Sequence, residues 1–116
     1  MANKIVQFIF VRSDLNLSKG ALIAQACHAT TKAIHQFYDK SNTIDYLKDI
    51  DNLTKIILRI KENDIKLTHE ICEKNNIFYC DWIEQPENIL TAIATAPTQE
   101  NDEYSFKKIF SKFKLF

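Results

Sequence analysis

From Lys4 to Arg12 the chain is apolar and aromatic almost throughout, with Gln7 as the polar exception inside the run. Its length and its β-branched content read as a buried strand with no polar face. A strand of that kind has to be covered on both sides, so the remaining sequence must supply helices to both faces of whatever sheet it joins.

The remaining sequence does so. Ser13 to Leu17 reads as a loop, and Ser18 can cap a helix from Lys19 to about Tyr38. Ser41-Asn42-Thr43 breaks that pattern, with Thr43 as the expected cap of a short helix from about Ile44 to Ile50. Lys55 to Ile60 is a second strand, and Asn63 or Asp64 caps a third helix to about Asn75. Ile77 to Ile83 and Ile89 to Ala96 are strands flanking the turn Gln85-Pro86-Glu87-Asn88, and Pro97 stops the second of them. A last helix spans about Asn101 to Phe110, and the tail Lys112 to Phe116 offers an extended segment.

The order is β-α-α-β-α-β-β-α. Helices between the first three strands imply crossovers and parallel pairing, whereas the short turn before the last strand permits an antiparallel neighbour. The expectation is an α/β fold in three layers, α/β/α, with a mixed four-stranded sheet. With 116 residues, one glycine and two prolines, the chain suits a single domain of long regular elements spanning 1–116.

The first helix has two faces at about 100° per residue. Ile23, Cys27, Thr30, Ile34 and Phe37 gather on one, which reads as the buried side; Gln25, His28 and Lys32 gather opposite, with His35 near their edge. Ala21, Ala24, Ala26, Ala29 and Ala33 are small enough to bring the helix close to a sheet.

Composition narrows the function classes. Fifteen basic residues balance fifteen acidic ones, so any nucleic-acid surface has to come from local clustering. Lys107, Lys108, Lys112 and Lys114 cluster without an acid among them, and the ordinary reading of such a run is a solvated helix face. Cys27, Cys72 and Cys80 are an odd set without a CxxC pair, which argues against a disulfide framework or a zinc site. The thiols read as reduced and buried, as in the cytoplasm. The opening apolar run is too short for a secretion signal, and no stretch approaches a membrane span. Ser13, Ser18 and Thr30 lack the His and Asp partners of a serine hydrolase.

Three stretches resemble the type 2 peptidyl-tRNA hydrolase family. Val11-Arg12-Ser13-Asp14-Leu15 followed by Lys19-Gly20-Ala21-Leu22-Ile23-Ala24-Gln25-Ala26-Cys27-His28-Ala29 is similar to the family's strand-helix signature. Ala92-Ile93-Ala94-Thr95-Ala96-Pro97 and Lys112-Phe113-Lys114-Leu115-Phe116 are similar to its last strand and its closing segment. Trp82-Ile83-Glu84-Gln85-Pro86-Glu87-Asn88-Ile89, with Gly20-Ala21-Leu22, most resembles the branch called peptidyl-tRNA hydrolase domain-containing protein.

The resemblance implies a mixed four-stranded sheet flanked by helices. It also implies hydrolysis, without a metal or other cofactor, of the ester joining a peptide to the 3′ ribose of tRNA. The family's helix Gln and His fall on Gln25 and His28, and its catalytic Asp falls on Glu84. The family's helix-start Lys falls on Ala21, and a Thr or Ser of the fourth strand falls on Ile89, so an ammonium and a hydroxyl are absent from those positions. Gln25, His28 and Glu84 are therefore the expected catalytic set. Arg12 and Lys19 are the candidates for holding phosphate, and Trp82 for stacking on a base. The alternative is a member that binds tRNA or a protein partner without turnover. Family members often pair as homodimers, and Phe106, Phe110, Phe113 and Phe116 offer either a pairing surface or a lid on the monomer's own core.

Overall fold

The computed structural model describes residues 4–100 and 105–116. Strand β1 (Ile5–Arg12) lies inside the sheet, parallel to β2 (Lys55–Ile60) and antiparallel to β4 (Ile89–Thr95). Strand β3 (Tyr79–Glu84) pairs antiparallel with β4, giving the order β2-β1-β4-β3. The mixed four-stranded sheet is thus present, and a two-residue strand β5 (Thr98–Gln99), not expected, folds back onto Ile5 and Val6.

Residue alternation on β1 explains why it has no polar face. Val6, Phe8 and Phe10 enter one apolar cluster, with Cys72 of α3 (Ile65–Lys74) and Phe106 of α4 (Phe106–Ile109). Ile9 and Val11 enter the other, with Ala29 and Ala33 of α1 (Lys19–Gln36). Gln7 is buried on the side of Ile9 and Val11, its Nε2 donating to the Thr95 carbonyl at 3.1 Å while its Oε1 accepts from Lys55. Three of the terminal phenylalanines close the first cluster: Phe106 and Phe110 pack edge-on or tilted against Phe8, and Phe113 packs edge-on against Phe10. Phe116 is half exposed.

The tail forms the expected extended segment. The Arg59 N–H donates to the Lys114 carbonyl at 2.8 Å, and the Phe116 N–H donates to Ile57 at 3.0 Å. This lays the tail antiparallel along the outer edge of β2, with Leu58 opposite Leu115, and covers an edge that would otherwise offer unpaired backbone.

The structure corrects several local expectations. Helix α1 rests on the sheet through Gln25, Ala29 and Ala33, with Leu22 and Ala26 beside them, whereas Ile23 is 63% exposed and Cys27 is exposed. Close approach to the sheet selects the small side chains, and that outweighs the hydropathy of the Ile23–Cys27 stripe. Cys72 and Cys80 are buried as expected, and Cys27 is not.

Helix α2 (Ser41–Lys48) starts before Thr43, with Lys40 at its cap. Thr43 is buried, and its hydroxyl has no partner among the described residues, so it faces the interior instead of capping. A single 3-10 turn at Ile50–Asn52 follows. Another at Glu62–Asp64 leads into α3. Strand β3 starts at Tyr79 because Ile77 is still tied to α3: its N–H donates to Cys72 at 2.8 Å and that of Asn76 to Glu73 at 3.2 Å. Asn76 takes a left-handed φ of 56° to make that closure. Of the last helix, residues 101–104 lie outside the described residues, and α4 supplies its second half.

Candidate active site

Four elements converge at one end of the sheet: the start of α1, the end of β1, the end of β3 and the start of β4. Ser18 caps α1, its Oγ accepting from the Ala21 N–H at 3.2 Å. The alanine face of α1 then brings Gln25 down onto the sheet, where it is only 3% exposed.

A buried amide needs its hydrogen bonds made, and Gln25 makes them. Its Nε2 donates to the Ala21 carbonyl at 3.2 Å and to Glu84 Oε2 at 2.9 Å. Its Oε1 accepts from the Thr91 hydroxyl at 2.7 Å. Both amide protons are used, so Gln25 holds Glu84 rather than offering a spare donor to a ligand. The other Glu84 oxygen accepts from Trp82 Nε1 at 3.2 Å. The imidazole of His28, exposed one turn after Gln25, stacks on Trp82 with ring centres 4.7 Å apart. The structure therefore gathers Gln25, His28, Trp82 and Glu84 in one place.

Thr91 joins them through an irregularity in the sheet. On β4, Ala92 and Ala94 face α1, whereas Leu90 and Ile93 face the opposite cluster. Strict alternation would send Thr91 away from α1. Between the pairs Trp82–Ala92 and Ile83–Leu90, however, β4 carries one extra residue, Thr91. That bulge turns Thr91 to the same side as Ala92 and aims its hydroxyl at Gln25. The family resemblance sets its hydroxyl position at Ile89, which is exposed and lies opposite Glu84 in the register. Nothing in the local sequence marks the bulge, so Thr91 was legible only as a strand residue.

The Glu84 carboxyl is held below the ordinary carboxylate range. The Gln25 hydrogen bond is the largest cause and Trp82 the next, with partial burial opposing and the neighbouring His28 adding to the lowering. Its two oxygens carry about four lone-pair sites, so the Gln25, Trp82 and Gln85 backbone donors leave capacity for a further donor such as water.

Arg12 is almost fully buried, and its donors point inward. Nε and Nη2 form a fork on the Asp14 carboxylate at 2.7 and 3.0 Å, and Nη1 donates to the Leu90 carbonyl at 2.9 Å. It thereby clamps the end of β1 to β4 one residue from Thr91. Hydrogen bonding to Arg12 pulls the Asp14 carboxyl down to about 2, with the Glu62 N–H helping and burial opposing. Lys19 is exposed at the first turn of α1. Ala21 lies one turn before Gln25, and the Gln25 amide bonds its carbonyl.

The family described as Peptidyl-tRNA hydrolase PTH2 matches residues 5–116. Two curated relatives, from Mus musculus and Homo sapiens, both bear the name "Putative peptidyl-tRNA hydrolase PTRHD1". Each is 37% identical over 116 residues, covering 95% of this chain and 83% of the relative. Both comparisons span the candidate site.

Proposed function

This chain belongs to the peptidyl-tRNA hydrolase PTH2 family, and on that premise we propose that it hydrolyses the ester between a peptide and the 3′ ribose of tRNA, with Glu84 as the proton acceptor. The observation that carries the reading is the hydrogen-bonded set Thr91–Gln25–Glu84–Trp82, which fixes an ionised carboxylate at the mouth of α1.

The chemistry follows from that carboxylate. Water donates a hydrogen bond to a free lone pair of Glu84 and gives up its proton as its oxygen adds to the ester carbonyl. The tetrahedral intermediate collapses, the C–O bond to the ribose breaks, and the 3′ oxygen takes the proton back from the Glu84 acid. Gln25 and Thr91 act as positioning residues, since their polar atoms are spent on one another and on Glu84. His28, exposed and stacked on Trp82, meets the terminal nucleotide in this reading.

A second reading, binding without turnover, is favoured by one specific feature. Ala21 stands where the family's Lys is expected, and a methyl group supplies no cationic donor to a developing oxyanion. Turnover of an N-blocked aminoacyl-tRNA by the purified chain separates the two. Release that falls about 10²–10⁴-fold in Glu84→Gln is the expected result. Release no faster than with heat-inactivated protein, alongside retained tRNA binding, selects the binding reading.

A further inference from the structure

The clustered lysines of the tail, read from sequence as a solvated helix face, acquire new neighbours in the fold. Pairing of the tail with β2 sets Lys112 and Lys114 beside Arg59 and Lys61, residues far away in sequence. The two pairs match in spacing. Arg59 near the end of β2 and Lys61, still extended just past it, are two apart and share a side, while Leu58 and Ile60 before and between them are buried. Lys112 and Lys114 are likewise two apart on the tail, while Phe113 between them is buried.

Together they line a cleft of about 330 Å³. Its one lining carboxylate, Asp64, already accepts the Lys61 backbone N–H at 2.9 Å. None of the four cations forms an ion pair with a described residue. In a chain whose fixed charges balance, four cations against one carboxylate are a local excess and not a reflection of composition.

The cleft lies at the same end of the sheet as the ester site, where Arg12 of β1 pairs with Ile60 of β2. Ser13 lines it and donates its N–H to Ile60 at 2.9 Å, and the preceding residue is Arg12, whose guanidinium reaches the Leu90 carbonyl beside Thr91. Arg12 is itself occupied by Asp14, so the free cations on the β2 side of this end are those of the cleft.

We propose that Arg59, Lys61, Lys112 and Lys114 form a phosphate-binding groove that takes the polynucleotide backbone of the tRNA. The proposal rests on the reading of this chain as one that acts on tRNA. Four exposed cations neutralise phosphates without reading bases, so the groove contributes affinity and orientation and no sequence preference.

The test is the salt dependence of uncharged-tRNA binding to the full chain, from about 50 to 200 mM salt. Each of two double variants, Arg59→Gln/Lys61→Gln and Lys112→Gln/Lys114→Gln, should weaken binding. Each should also reduce the slope of log K against log salt by up to about 1.4, two contacts at about 0.7 each. A control pair on α2 and α3, Lys48→Gln/Lys66→Gln, should leave the slope unchanged. Ester release from an N-blocked aminoacyl-adenosine, which carries no polynucleotide, should be equal in wild type and groove variants. Should the wild type release no ester while the tRNA slope still drops in the groove variants, the groove stands and the hydrolase reading fails. An unchanged slope in both groove variants would overturn the proposal. So would absence of tRNA binding at low salt, or binding that the groove variants lose only on vesicles of anionic phospholipid.

Discussion

Replacing Thr91 with valine keeps the side-chain shape and removes one hydroxyl. In the native fold that hydroxyl donates to Gln25 Oε1 at 2.7 Å, and the two residues are 4% and 3% exposed. Valine leaves the amide oxygen buried and unpaired, which costs about 1–3 kcal/mol. At an m-value of about 1.5 kcal/mol/M this lowers the urea midpoint by roughly 0.7–2 M. Gln25→Leu alone strands the Thr91 hydroxyl and takes one donor from Glu84. In the double variant, both members of the Thr91–Gln25 pair are apolar, so the double should cost less than the sum of the singles. The expected coupling lies in the range of about 0.5–3 kcal/mol. Urea unfolding of the four proteins at neutral pH, with unchanged m-values, measures it. A Thr91→Val midpoint equal to wild type, or losses that simply add, would refute the idea that the bulge exists to deliver this hydroxyl.

Further outcomes follow from the same geometry. Because Glu84 titrates below its unfolded value, its stabilisation is present above the ordinary carboxylate range and is lost as pH falls through its own lower pKa. Glu84→Gln should therefore flatten part of the acid limb of a stability-against-pH curve. Asp14, held down to about 2 by Arg12, behaves with the same sign, so Asp14→Asn should destabilise at neutral pH and progressively less as pH falls from about 4 towards 2. Burial pushes the Cys72 and Cys80 thiols up, to about 12 and about 11, whereas Cys27 is exposed. Brief alkylation of the folded chain followed by mass spectrometry should thus modify Cys27 first, and the other two only after unfolding. Ala21→Lys places an ammonium one turn from Gln25 and should raise ester release, within the about 10²–10³-fold attached to one oxyanion donor.

The layered fold was readable because its signals are strong and local. The apolar run of β1, the Ser18 cap and the short turn after Glu84 each specify an element on their own. The side of α1 that meets the sheet is not legible in the sequence, because hydropathy favours Ile23 and Cys27 while the packing distance favours Ala29 and Ala33. That same reversal buried Gln25 and turned an apparent surface amide into the anchor of Glu84. Thr91 was invisible for a different reason. Its direction depends on a one-residue bulge that exists only in the register between β3 and β4. The neighbours of Lys112 and Lys114 are likewise tertiary, set by the pairing of the tail with β2.

The pH dependence of kcat/KM for ester release is the most direct probe of a carboxylate base tuned by its amide neighbour. With wild type, activity should stay level through neutral pH and fall only below the usual glutamate range, and Gln25→Leu should move that fall to higher pH while Glu84→Gln removes most of the rate. An acid limb that stays in place when Gln25 is replaced, or a rate indifferent to Glu84, would show that the ester is cleaved elsewhere or by another group.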